Sequence, residues 1–254
     1  MITSRNNPKI KEVIQLRDSA AHRRETGLYI VEGPRMVSEI PAENIAEVYV
    51  SESYLRKQGN NITFESNKLI ETQDVVFEKL SDTKNPQGIL AVVRSKKYSI
   101  DDLLSGGPIL FLENIQDPGN LGTMFRTAEA AGAAGIICDK NTVDPHNSKV
   151  IRSTMGAALR MPCIVSENPL FDIDYLKKQG YSTYAAHLAG SVPYTEPSYT
   201  KSVFLIGNEA AGLSRELAEI ADVKIRIPME GHVESLNAAV AASILLYEWH
   251  RQNF

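Results

Sequence analysis

Phe111-Leu112-Glu113-Asn114-Ile115-Gln116-Asp117-Pro118-Gly119-Asn120-Leu121-Gly122-Thr123-Met124-Phe125-Arg126-Thr127-Ala128 is the stretch on which the fold of this chain turns. The apolar run Ile109 to Leu112 predicts a strand, Pro118-Gly119 a turn, and Leu121, Met124, Phe125 and Ala128 recur at the spacing of one helix face. A strand passing through a short polar turn into an amphipathic helix is the building unit of α/β domains with parallel sheets. Asn120 and Arg126 do not belong to the apolar stripe. An N-cap explains Asn120; Arg126 is either a solvated cation or a fork able to hold phosphate by two parallel bonds.

Two later stretches have the same build. In Phe204-Leu205-Ile206-Gly207-Asn208-Glu209-Ala210-Ala211-Gly212-Leu213-Ser214 a strand runs into a glycine loop. Gly207 permits a sharp turn and close approach of a ligand, or serves the turn alone. The spacing matches neither a Walker loop nor the dinucleotide fingerprint, so nucleoside triphosphate and dinucleotide readings lose their support. In the third stretch Val223, Ile225 and Ile227 alternate as a strand, Pro228 ends it, and Ser235 stands where it would cap a long final helix. Leu236, Val240, Ile244 and Tyr247 form one stripe of that helix, widened by Ala239, Ala242, Leu245 and Leu246. A helix apolar over so much of its circumference needs a second covering surface, in this chain or another, which predicts a homodimer with Leu245, Leu246 or Trp249 near the interface.

Working outward, strands are expected at Gly135 to Cys138 and Thr183 to Ala186 in the second half, and at Leu28 to Val31, Val48 to Val50 and Gly88 to Val93 in the first. Helices are expected at Pro34 to Ile40 and Val75 to Leu80. The polar segment from Ser95 to Pro108, ending in Gly106-Gly107-Pro108, reads as a linker, giving a domain of residues 1–100 and a larger one of 107–254. The 254 residues carry a net charge of −4 and no global basic footprint. The first 24, however, hold Arg5, Lys9, Lys11, Arg17, Arg23 and Arg24 against Glu12 and Asp18. Asn7-Pro8 reads as cap and first residue of a helix with cations on its outer face, either a nucleic-acid footprint or a solvated surface. Residues 107–254 hold 12 basic and 16 acidic residues, so attraction for RNA there must be local.

Two cysteines, Cys138 and Cys163, give no disulfide framework or zinc ribbon, and the five histidines show no metal-ligand spacing, so no metal is expected. No G-x-S-x-G elbow is present. The start lacks a secretory apolar core and the longest apolar run, Ala238 to Tyr247, is too short to span a bilayer, so a soluble cytoplasmic protein without membrane contact is expected.

Taken in order, Asn120-x-Gly122-x2-Phe125-Arg126, Gly207-Asn208-Glu209, and Ile227-Pro228-Met229 with Ser235-Leu236-Asn237 resemble the three motifs of the SpoU (TrmH) family of RNA ribose 2'-O-methyltransferases. The stretch from Val143-Asp144-Pro145 to Ala157 also resembles the family, with Thr154-Met155 and Asn208 as mild departures. The first hundred residues are similar, more loosely, to the ribosomal-protein-like substrate-binding domain of many members. The resemblance implies a SPOUT-type α/β fold with a parallel sheet and a C-terminal trefoil knot, S-adenosylmethionine as methyl donor, and a homodimer. It implies donor contacts at Gly207, Ile227, Met229 and Leu236, and polar active-site positions at Asn120, Arg126, Glu209, Ser235 and Asn237. Arg126 is expected to clamp a phosphate, with Glu209 and Ser235 positioning it. Ribosomal RNA, of the large subunit, is favoured over transfer RNA; a catalytically silent RNA-binding protein and a tRNA methyltransferase are the alternatives.

Overall fold

The computed structural model describes residues 1–58, 64–190, 192–233 and 235–254. Its elements run α1 (Pro8–Asp18), α2 (Ala20–Thr26), β1 (Leu28–Glu32), α3 (Pro34–Ser38), β2 (Ile45–Ser51), α4 (Glu52–Gln58), β3 (Leu69–Thr72), α5 (Asp74–Leu80) and β4 (Ile89–Arg94). There follow β5 (Ile109–Leu112), α6 (Pro118–Ala131), β6 (Gly135–Asp139), α7 (Ser148–Thr154), β7 (Cys163–Ser166), α8 (Pro169–Lys178) and β8 (Ser182–Ala186). The chain ends with β9 (Val192–Pro193), β10 (Ser202–Ile206), α9 (Arg215–Ile220), β11 (Val223–Arg226) and α10 (Ala238–Asn253).

Packing divides the chain into two units, Met1–Lys96 with His146–Leu159, and Lys97–Pro145 with Arg160–Phe254. In the first, β1, β4, β2 and β3 form a sheet in that order, antiparallel except for the β2–β3 pair. Both faces are covered, which is why its strands read as continuous apolar runs instead of alternating ones. Ile10, Val13, Phe77 and Leu80 pack with Ile30 and Tyr49 on one face; Val37 and Ile40 pack with Val31 and Val48 on the other. Ile151 of α7 belongs to that second cluster, and Arg152 of α7 pairs with Asp82 at 3.1 Å.

Asn7 caps α1 through Lys9 N and Pro8 opens it, as the sequence predicts. The cations of this segment do not all face outward. Arg17 donates to the carbonyls of Lys79 and Ser81, and Arg23, 5 % exposed, donates to those of Leu16 and Arg17. Both guanidiniums satisfy backbone acceptors that have no helical or strand partner, so their part is structural. Arg5, Lys9, Lys11 and Arg24 remain exposed.

In the second unit β7, β6, β5, β10, β8, β11 and β9 form a seven-stranded sheet, and every recorded pair is parallel. The chain steps outward from β5 through β6 to β7, then restarts on the far side of β10. This places a topological switch between β5 and β10, the place where open parallel sheets bind ligands at the carboxyl ends of their strands. Phe111, Val203 and Leu205 pack with Ile173 and Leu176 of α8 and Leu217 of α9. α10 packs against α6 and β10. That packing already covers the residues expected at a dimer interface: Leu245 and Leu246 are fully buried and Trp249 is 5 % exposed. What α10 leaves open is Val240 and Tyr247, with Ile244 half-buried between them. Both cysteines are free, and Cys163 together with burial pushes the Cys138 thiol far above its ordinary range.

Asp222, just before β11, accepts from the backbone N and the hydroxyl of Thr183, both at 2.8 Å, and pairs with Lys177 at 2.8 Å. Partial burial works against its charge, but Lys177 and the Thr183 donors outweigh it and hold its carboxyl below the usual range. Because the folded value is the depressed one, this stabilisation is complete above the unfolded value of about 3.9 and is lost as pH falls through the folded one. Asp222→Asn should therefore lower the melting temperature at pH 7, and the gap from wild type should narrow below about pH 4 in thermal melts. A gap unchanged down to pH 2.5 would show that the charge at 222 contributes nothing.

Candidate active site

The site is built from three strand ends. After β5, Asn114 adopts a left-handed backbone (φ 56°), held there by its N–H to Asp139 Oδ1 at 2.8 Å. The same Asp139 oxygen accepts from Thr142 N and Oγ1, at 2.8 and 2.7 Å, which makes a rigid anchor at the carboxyl ends of β5 and β6. α6 then starts at Pro118. Its cap is Asp117, which accepts from Asn120 N at 2.7 Å, so Asn120 is not the cap and its amide is free to face other loops.

After β10, Gly207 leads into a closed loop. Asn208 and Gly212 exchange backbone hydrogen bonds at 3.1 and 2.9 Å. Asn208 Oδ1 accepts from Ala210 N and Ala211 N, while its Nδ2 donates to Asn114 O at 2.8 Å. At the far end Ser214 N donates to Glu113 Oε2 at 2.6 Å. The loop is thus lashed to β5 at both ends. A Cβ at Gly207 would lie 2.2 Å from Gly212 C and Leu213 N, so the residue is needed by the loop's own backbone.

After β11 the cap of α10 is Asn237, not Ser235: Asn237 Oδ1 accepts from Ala239 N at 2.9 Å and Val240 N at 3.3 Å. That fixes the orientation of two further groups. With its oxygen used by the helix, Asn237 presents Nδ2, which donates to Asn120 Oδ1 at 2.9 Å. Asn120 in turn presents Nδ2, which donates to Glu209 Oε1. One chain of hydrogen bonds, Asn237 to Asn120 to Glu209, therefore links all three loops and ends on a carboxylate.

A cavity of about 630 Å³ opens at these strand ends. Gly207, Ile227, Met229 and Leu236 all line it, as do Glu209 and Ser235. Asn120, Arg126 and Asn237 are not in its wall. Arg126 is exposed and makes no hydrogen bond or ion pair among the described residues; Glu209 turns to Asn120 and Asn208 instead of to Arg126. Ser235 is exposed. The sequence reading missed Glu113, Asn208 and Asp139 as loop anchors, and His187, which lines the cavity from the end of β8. Among the described residues no group of three or more His, Cys, Asp or Glu could hold a metal ion, and no helix is long and apolar enough to cross a membrane.

The AdoMet-bound rRNA methyltransferase from Sinorhizobium meliloti is similar over 100 % of this chain and 98 % of its own, with 32 % identity and a TM-score of 0.87. The SpoU methyltransferase AviRb from Streptomyces viridochromogenes, solved with AdoMet, is similar over 97 % and 98 %, with 25 % identity and a TM-score of 0.85. The fold and the cavity define an RNA methyltransferase of the SPOUT type. Residues 107–247 match the SpoU rRNA Methylase family and residues 7–91 the MRM3-like substrate binding domain. The chain belongs to the SpoU family. Among its relatives is the 23S rRNA (guanosine(2553)-2'-O)-methyltransferase RlmP of Bacillus subtilis, 32 % identical over 97 % of each chain.

S-adenosylmethionine is the methyl donor of this family, and the cavity fits it. The volume lies within the range of pockets that enclose small cofactors, roughly 300–1,000 Å³. Its wall combines apolar side chains such as Leu188, Ile206, Ile227, Met229 and Leu236 with His187, Asn208, Arg226 and Ser235, and Glu209 is the one carboxylate among the described lining residues, a group suited to a ligand that carries a sulfonium cation.

Proposed function

We propose that the chain methylates the ribose 2'-hydroxyl of a nucleotide in large-subunit ribosomal RNA, in the cytoplasm, as a homodimer whose C-terminal segment is threaded as a trefoil knot. The observation that carries the reading is the Asn237–Asn120–Glu209 chain, which gathers all three motif loops beside a cavity of cofactor size. The rRNA assignment is supported by the name of the 97 %-coverage relative and by the match of residues 7–91 to a substrate-binding domain. The threading is supported by the return of the chain after β11 to place α10 on α6 and β10.

When bound, S-adenosylmethionine supplies a methyl group on a sulfonium, which calls for placement in a shielded pocket more than for further activation. The remaining work falls to the chain. Gly207, Ile227, Met229 and Leu236 enclose the donor, and Glu209, its carboxylate fixed by Asn120, favours the positive charge at the wall. The attacking hydroxyl must lose its proton, so negative charge builds on its oxygen. The guanidinium of Arg126, bonded to none of the described residues, clamps the phosphate next to that ribose and lowers the cost of the charge. Ser235, exposed in the cavity wall, and Asn237, the cap of α10, orient the nucleotide. The proton of the attacking hydroxyl would leave through phosphate or solvent.

The test is a map of 2'-O-methyl sites in total RNA from cells with and without the protein. Loss of one site in large-subunit rRNA is expected; loss of a tRNA site alone would replace the substrate, and no lost site would favour a silent RNA-binding protein. The RNA-binding surface is expected on the first unit. Neutralising Arg5, Lys9, Lys11 and Arg24 should weaken RNA binding and flatten its dependence on salt, because each lost phosphate contact releases fewer counterions. Arg17→Gln and Arg23→Gln should instead lower thermal stability, since they free backbone carbonyls in the fold. The dimer face is expected on the Val240–Ile244–Tyr247 stripe, and Val240→Glu with Ile244→Glu should yield a monomer by sedimentation, where wild type sediments as a dimer.

A further inference from the structure

We infer that His187 is a donor-contact residue, offering its Nε2–H to a hydrogen-bond acceptor of S-adenosylmethionine; this rests on the reading of the cavity as the donor site. His187 leaves β8 directly into the cavity wall. Its backbone is fixed on both sides: its N–H donates to Ile225 O at 2.9 Å and its carbonyl accepts from Gly190 N at 2.9 Å. The turn has no slack, because a Cβ at Gly190 would lie 2.8 Å from Ile225 C and O and 2.9 Å from His187 O.

The ring is oriented by that turn. Ala189 N–H donates to His187 Nδ1 at 3.1 Å, which commits the Nδ1 lone pair. A neutral imidazole carries one proton, so it sits on Nε2, and Nε2–H has no partner among the described residues. A half-buried, oriented and unengaged donor in the wall of a cofactor cavity is a specificity element, since pockets of this kind fix their ligand with a few placed polar groups. S-adenosylmethionine offers acceptors on both halves, the adenosyl ring nitrogens and ribose oxygens on one, the carboxylate on the other.

The experiment is calorimetric titration of wild type, His187→Gln and His187→Phe with S-adenosylmethionine, S-adenosylhomocysteine and 5'-methylthioadenosine at pH 8. His187→Phe, which keeps a ring and removes the donor, should bind S-adenosylmethionine about fivefold to tenfold more weakly than wild type, the worth of one hydrogen bond. His187→Gln, which keeps a donor, should bind nearly as wild type. Methylthioadenosine locates the acceptor: an equal loss in His187→Phe places it on the nucleoside half, a loss confined to the two amino-acid-bearing ligands places it on the carboxylate. Wild-type affinity in His187→Phe, or a His187→Gln protein as weak as His187→Phe, overturns the inference. Failure of wild type to bind any of the three overturns the donor-site reading instead.

Discussion

Gly207→Ala should cut affinity for S-adenosylmethionine by about fivefold to 100-fold, the ~1–3 kcal/mol of an overpacked site expressed at 1.4 kcal/mol per decade. The added methyl would lie 2.2 Å from Gly212 C and Leu213 N and 2.3 Å from Gly212 O. These are backbone atoms, so no side chain can swing aside. The loop must open, which breaks the Asn208–Gly212 pair and shifts the wall that carries Glu209 and Leu213. The sequence left two explanations of this glycine open, a ligand's close approach and the turn alone, and the geometry supports the second: the loop's own backbone occupies the space. Gly212→Ala is the control. Gly212 has φ 70° and nothing within 4 Å of a Cβ, so alanine there meets only backbone strain, about 1–2 kcal/mol, with no intrusion into the loop. Calorimetry and thermal melts on both variants separate the cases. A Gly207→Ala protein that binds the donor as wild type does would mean the loop yields freely, and the account of the wall would fail.

The strands that carry the site were legible because each is a fully buried apolar run, Ile109–Leu112 and Ser202–Ile206 most clearly. Strands at the sheet margins were not. β7 has half-buried Cys163 and Ile164 and an exposed Val165, and β9 is two residues long, so neither has a pattern to read. The helix caps went to the wrong residue twice for one reason. Asp117 and Asn120, like Ser235 and Asn237, are all competent caps, and spacing does not tell which of two will take extended backbone. Pro118 settles the first by occupying the opening position of α6, leaving the cap to Asp117; at the second, Asn237 has ψ 139°. That difference matters for function, because it is the released amide of Asn120 that reaches Glu209. Arg17 and Arg23 read as surface charge because a sequence does not display which carbonyls a fold leaves without partners. Ile151 lies within the stretch that matches the methylase family, yet packs in the core of the first unit, and no local pattern announces such a destination. His187 carried no signal at all: its place in the wall follows from a strand order that only the folded chain reveals.

Arg126→Lys and Arg126→Ala should lower single-turnover methylation by about 10²-fold and 10³-fold, the range for removing one preorganised group that stabilises developing charge. The structure makes this a clean measurement. Arg126 is exposed and bonds to no described residue, so replacing it should leave stability within about 0.5 kcal/mol. It lies outside the cavity wall, so donor affinity should also hold. Two roles can then be told apart by pH. A base must be deprotonated to act, and a lysine amine, with an ordinary pKa near 10.4, deprotonates far more readily than guanidinium. If Arg126 were the base, the Lys variant would speed up steeply between pH 7 and 10. A clamp needs charge and a planar fork; Lys keeps the first and loses the second, so its rate should be low and parallel to wild type across that range, with Ala lower still. That no carboxylate among the described residues pairs with Arg126 favours the clamp. Glu209 is committed to Asn120, so nothing in the described chain neutralises the guanidinium, which stays available to a phosphate brought by the substrate. A Lys variant whose rate climbs with pH while wild type stays flat would reverse the assignment and make residue 126 the proton acceptor.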